Sequence, residues 1–161
     1  MKNHLLSGLE DLPFSRSGIP ASTIDAYLAA RYTVLAGEPF SLKIDCPSAE
    51  LARLLDLNQT RCAAFITAWN PSGGLTSDTE NHAAQQALAT EIKSRNLRYL
   101  EGAGEDPSGR WPSEPSLLVF GISLASATDL AKQFNQNAFV YADSDATPQL
   151  VLLRYKEERK P

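Results

Sequence analysis

Ala63-Ala64-Phe65-Ile66-Thr67-Ala68-Trp69-Asn70-Pro71, followed by Ser72-Gly73-Gly74-Leu75-Thr76-Ser77, is the stretch on which the reading of the fold turns. The apolar run over residues 62–69 predicts a central strand buried on both faces, because a sheet covered on one side only alternates polar and apolar positions. The polar turn that ends it runs into Ser77-Asp78-Thr79-Glu80, a capping box that opens the longest helix. On that helix Ala84, Leu88 and Ile92 recur every four residues and form an inward stripe. Extending the stripe back by three reaches Asn81, so a polar side chain is expected to face inward on the first turn, beside the end of the strand. In open α/β sheets such a strand end is a common place for a site.

Working outward, residues 116–122 form a second apolar run and predict a second central strand. A helix carrying Ala127, Leu130, Ala131 and Phe134 is expected to stop at Asn135, which tolerates the left-handed conformation. Short strands over 138–142 and 149–153 close the pattern. Upstream, Ser22 is read as the cap of a helix through Ile24, Tyr27 and Leu28. Strands over 32–36 and 40–44 flank a Gly37-Glu38-Pro39 hairpin, and Pro47-Ser48 opens a helix carrying Leu51, Leu54 and Leu55. Residues 97–102 read as a strand, and 103–115 as a loop with three prolines that carries Arg110 and Trp111. The sum is an α/β fold, with α+β as the variant. It is expected to be one domain with a mixed sheet of about five to seven strands flanked by about four helices. Residues 1–20 are expected to form an extended arm, 21–154 the globular domain and 155–161 a charged tail.

The bulk numbers agree with one such domain. A chain of 161 residues with 43% apolar and 21% charged residues can bury about 70% of its extended surface. A net charge of -4 and a pI near 5.2 oppose binding to a nucleic-acid backbone. No run approaches the ~18 apolar residues of a membrane span, and the N-terminus lacks a signal-peptide pattern, so a cytoplasmic protein is expected. Cys46 and Cys62 stand apart without metal-binding spacing and are expected as thiols, Cys62 as a small buried hydrophobe. No cofactor motif and no metal motif is present in the sequence, and oligomeric state is not legible in it.

Among polar residues, the glycines of loop 70–77 suggest a phosphate cradle, but Asp78 and Glu80 put carboxylates where a phosphate would sit. Gly102-Ala103-Gly104 lacks the rest of a dinucleotide fingerprint. Glu114, immediately before an apolar strand, is the candidate acid or base, since partial desolvation there would raise its pKa. Glu101 and Glu105 are its candidate partners. Gln136 and Asn137 can read a base or an amide through paired donors and acceptors, or tie down loop backbone. His82 is expected to point sideways to solvent, and Trp111 either closes over a flat ligand or plugs the core under its loop. No nucleophile-elbow or zinc-protease motif occurs.

Three motifs in this order, Ile66-Thr67-Ala68-Trp69-Asn70-Pro71 with Asn81, then Trp111-Pro112-Ser113-Glu114-Pro115-Ser116, then Phe134-Asn135-Gln136-Asn137-Ala138, resemble a bacterial domain-of-unknown-function family, the one numbered 3293. The resemblance is read from about Ala26 to Leu153. That family carries no assigned activity, so the resemblance implies kinship and supplies no mechanism. Asn135 stands where the family pattern usually has Gly, and both residues accept a left-handed helix stop. The resemblance implies that Asn70, Asn81, Glu114, Ser116, Gln136 and Asn137 occupy the family's polar motif positions.

These readings converge on a pocket among loop 70–77, Asn81, Glu114 and Gln136-Asn137. Asn70, Ser72, Asn81, Trp111, Ser116, Gln136 and Asn137 are its expected ligand-binding residues, and the ligand is a small polar metabolite or a nucleobase-like molecule. Two alternatives stand beside it. One is a hydrolase or transferase with Glu114 as acid or base and Asn70 or Asn81 as a neutral stabiliser. The other is a protein-interaction module that pairs with a partner through an exposed strand edge near residues 149–153.

Overall fold

A computed structural model describes residues 18–71 and 74–153. Most of the expected N-terminal arm, Ser72 with Gly73, and the tail from residue 154 lie outside the described residues. In chain order the elements are α1 (Ala21–Ala29), β1 (Arg31–Val34), β2 (Phe40–Leu42), α2 (Ala49–Leu57), β3 (Ala63–Ile66), α3 (Asp78–Ser94), β4 (Tyr99–Glu105), β5 (Glu114–Phe120), α4 (Leu124–Gln133), β6 (Ala138–Ala142) and β7 (Gln149–Leu152). The strands form one sheet in the order β2-β1-β4-β5-β3-β6-β7.

The α/β class holds, but the ladders correct the expectation of mixed strand pairing: each of them is antiparallel. The physical reason lies in the two helical crossovers. Helix α3 joins β3 to β4, and α4 joins β5 to β6. A strand pair joined by such a crossover runs in the same direction, as the alternating pattern suggested. In both units, however, another strand is inserted between the two: β5 between β3 and β4, and β3 between β5 and β6. Two interleaved split β-α-β units thus yield an antiparallel sheet from an alternating sequence.

The sheet carries a core on each face. Residues of alternating parity divide between them: Ala63, Phe65, Leu118 and Phe120 pack with Ile24, Leu51 and Leu55 of α1 and α2. Ala64, Ile66, Leu117 and Val119 pack with Leu88, Ile92, Ala127 and Leu130 of α3 and α4. Strand β3 is buried at every position, as its apolar run requires. It is shorter than expected, because beyond Ile66 side chains take over the backbone's hydrogen bonding. Trp69 N–H donates to Thr67 Oγ1 at 2.9 Å, and Ala68 N–H to Gln85 Oε1 at 3.0 Å.

Local signals fare unevenly. Ser77 caps α3 as expected, and Ser48, read only as part of a helix start, caps α2; each accepts from an amide three residues on. Ser22 does not cap α1: the helix already begins at Ala21 behind Pro20, whose carbonyl accepts from Thr23 N–H and Ile24 N–H. Asn135 does stop α4, at φ 55°.

Two further expectations are corrected. The loop expected over 103–115 is shorter than that, residues 106–113, because β4 runs to Glu105 and β5 starts at Glu114. Pro115 is accepted in the ladder opposite Ala103, and glycine at 102 is what the tight packing there admits. A Cβ at that position would lie 2.6 Å from the Thr33 carbonyl oxygen and 2.8 Å from Phe65 Cε2. The edge expected to be exposed near 149–153 is buried throughout. The segment after β2 reaches across to it: Asp45 N–H donates to the Pro148 carbonyl at 2.9 Å, and Gln149 Nε2 to Asp45 Oδ1 at 2.7 Å.

Candidate functional site

Two asparagines build the site from the end of β3 outward. Asn70 adopts φ 46°, a left-handed turn that asparagine tolerates better than branched residues do. Its backbone N–H donates to Asn81 Oδ1 at 2.8 Å, and its own Oδ1 accepts from Thr76 N–H at 3.1 Å and from Asn81 Nδ2 at 2.9 Å. Asn81 Nδ2 also donates to the Thr76 carbonyl at 3.2 Å. Asn81 is 1% exposed, so this buried network fastens Asn70 and Thr76 to the first turn of α3. The inward orientation inferred from the helical stripe is the one observed.

The network ends on the acid. Asn70 Nδ2 donates to Glu114 Oε2 at 3.1 Å. Burial pushes the Glu114 carboxyl above its ordinary value, and the hydrogen bond from Asn70 opposes that rise. Neither Glu101 nor Glu105 joins it. In β4, Gly102 and Gly104 pair with Ser116 and Glu114 and share their face of the sheet, so the alternate positions 101 and 105 project from the other face. Glu105 instead accepts from Thr33 Oγ1.

Glu114 lies on the wall of a cavity of about 430 Å³. The cavity opens on the α1 side of the sheet. Tyr32, Phe65 and Ser116 line it from the strands, Thr67 from just past the end of β3, and Ser22, Thr23 and Tyr27 from α1. Gly104 is part of the wall, and a Cβ there would meet nothing within 4 Å. Trp69, Leu75, Arg110 and Trp111 complete the surround. Burial also lifts the Tyr32 phenol well above its ordinary value, so it stays protonated and donates to the Tyr27 carbonyl at 2.6 Å.

Of the residues expected to bind ligand, Asn70, Trp111, Ser116 and Gln136 line this cavity together with Glu114. Gln136 Nε2 faces the carbonyls of Trp69 and Phe134 at 3.4 and 3.3 Å. Asn81 and Asn137 stand behind the wall. Asn137 is buried and donates through Nδ2 to Tyr27 Oη at 3.3 Å, which ties α1 to the start of β6. Ser72 is outside the described residues. His82 is exposed and sets its ring edge-on to Trp69 at 5.0 Å, away from the acid.

Sequence reasoning missed the α1 wall and the tyrosines. Ser22 was read as a cap, Tyr27 as a position along the first helix and Tyr32 as the start of a strand. The available signal was a run of Ser22, Thr23, Ala26 and Tyr27 on one helix, small and polar where a core helix would be aliphatic. Among the described residues no group of three or more His, Cys, Asp and Glu side chains is placed to hold a metal ion. No helix among them is long and apolar enough to cross a membrane.

The fold and site together define an α/β domain on an antiparallel sheet, with one acid and a carboxamide network at the rim of a partly aromatic cavity. Residues 66–139 match the model of a family described as a protein of unknown function, DUF3293. The match holds the full carboxamide network, Glu114 and Gln136, and excludes α1, β1 and β2, so it is narrower than the span over which the motifs were read. No curated protein and no solved structure matches the chain.

Proposed function

We propose that this domain binds a small polar organic molecule, of about the size of a nucleobase or an amino acid, in the cavity between α1 and the sheet. The observation that carries the reading is a half-buried carboxyl, held by one amide, on the wall of a 430 Å³ cavity with aromatic surroundings. Small-molecule sites typically measure about 300–1,000 Å³ and combine apolar walls with a few placed polar groups. Thr67, Ser116, Gln136 and Glu114 supply those groups here, and Trp111 at the mouth can cover a flat ligand.

A second reading, acid-base catalysis, is favoured by Glu114, whose partly buried carboxyl faces the cavity and is held above its ordinary pKa by desolvation. Asn70 would then hold the acid in place through its amide.

Thermal shift of the purified protein against nucleobases, nucleosides, amino acids and sugar phosphates tests the first reading, with Gly104→Val beside it to fill the cavity. A ligand at about 100 times its Kd adds about 2.7 kcal/mol, several degrees in a chain of this size. A shift in the wild type that Gly104→Val abolishes, with the variant still melting cooperatively, is the expected result. Equal shifts in both proteins, or none, refute it.

A further inference from the structure

We propose that the ligand taken by this cavity carries a cationic nitrogen group, an ammonium or an amidinium, seated against Glu114 among the aromatic walls. This rests on the reading that the cavity binds a small molecule. Three observations lead to it.

First, the charges lining the cavity are unequal in position. Glu114 is the acidic residue of the lining and Arg110 the basic one. The Arg110 side chain is 78% exposed and already engaged, with Nε 3.0 Å from Ser108 Oγ and 3.9 Å from Asp106 Oδ2. It does not neutralise Glu114, so among the described residues the carboxyl in the inner cavity has no compensating cation. Second, that carboxyl is half used. Oε2 accepts from Asn70, while Oε1 accepts no hydrogen bond from the described residues. A neutral ligand would leave the charge unbalanced in a partly desolvated place, and an anion would be repelled. Third, Tyr27, Tyr32, Phe65, Trp69 and Trp111 all line the same space. Ring faces attract cations most strongly when water is displaced, and a carboxylate among rings is a setting that favours organic cations over other small solutes. A divalent metal is not the match, because the described residues bring no group of three ligating side chains together.

The pH behaviour follows from the same arrangement. Glu114 is raised by burial, and a cation binds its ionised form, so affinity weakens as pH falls through the carboxyl's pKa, by up to about tenfold per unit.

The test compares matched pairs by calorimetric titration: benzamidinium against neutral benzamide, and choline against its uncharged tert-butyl isostere. The wild type is expected to bind at least one cation about tenfold more tightly than its isostere. Glu114→Gln, which keeps an acceptor for Asn70, is expected to erase that preference and its pH dependence while melting as a folded protein. If the neutral partners bind equally well, or if Glu114→Gln keeps the preference, the cationic assignment is overturned and small-molecule binding stands. If neutral or anionic compounds shift the melting of the wild type and no organic cation does, the assignment is likewise overturned. If nothing binds, both fall.

Discussion

Gly102 and Gly104 sit two residues apart in β4, point to the same face, and should answer oppositely to an added methyl group. At Gly102 a Cβ would stand 2.6 Å from the Thr33 carbonyl oxygen and 2.8 Å from Phe65 Cε2. The first is backbone held in the β1–β4 ladder, and the second belongs to a ring that is 4% exposed, so neither neighbour yields easily. Overpacking of this kind costs about 1–3 kcal/mol, against which the loss of glycine's unfolded freedom returns about 0.5–1. Gly102→Ala should therefore lose about 1–2 kcal/mol net, roughly 2–8 °C in melting temperature. At Gly104 the same methyl meets nothing within 4 Å and projects into the cavity. Gly104→Ala should hold its stability or gain about 0.5–1 kcal/mol. Urea denaturation of both variants beside the wild type, with a shared m-value, reads the difference. Gly102→Ala melting at or above the wild type would refute the close approach of Gly102 to β1 and Phe65.

Two other variants probe the network and the acid. Asn81→Ala removes the acceptor for Asn70 N–H and the donor to Asn70 Oδ1 and Thr76 O, so it should cost about 2–4 kcal/mol in chemical denaturation; a loss below about 0.5 would mean that water replaces the network. For Glu114, a folded-state pKa raised above the unfolded one means stability that is present below the ordinary value of 4.5 and lost as pH rises through the raised one. Glu114→Gln should consequently gain on the wild type as pH rises from 4.5 through the raised pKa, and a melting difference that stays constant over that rise contradicts the burial of the carboxyl.

Asn81 was legible because it follows from a periodicity: once α3 packs its four-residue stripe on the sheet, the position three residues earlier must face inward. Glu114 was legible as the polar neighbour of an apolar strand. Its lack of an acidic partner was not, because the parity of β4 against β5 depends on a register that spans the hairpin. Gly104 and Pro115 fell in the segment read as loop since both weaken an isolated strand, yet in the sheet they take part in the ladders of β4 and β5. The burial of β7 was equally out of reach, because the chain that meets it comes from residues about a hundred positions earlier.

Local patterning by itself determined the elements: the buried character of β3 and β5, the capped start of α3, the left-handed stop at Asn135, and the inward face of Asn81. These depend on interactions within a few residues, which a sequence displays directly. Tertiary structure alone decided the antiparallel order, the pairing of Glu114 with Gly104, and the placement of Tyr27 and Tyr32 around the same cavity as Glu114 and Ser116. The reason is that a strand's propensity is the same whichever neighbour it pairs with. The inserted strands that make the sheet antiparallel, and the cavity that α1 closes, are set by long-range packing, which no short window of the chain contains.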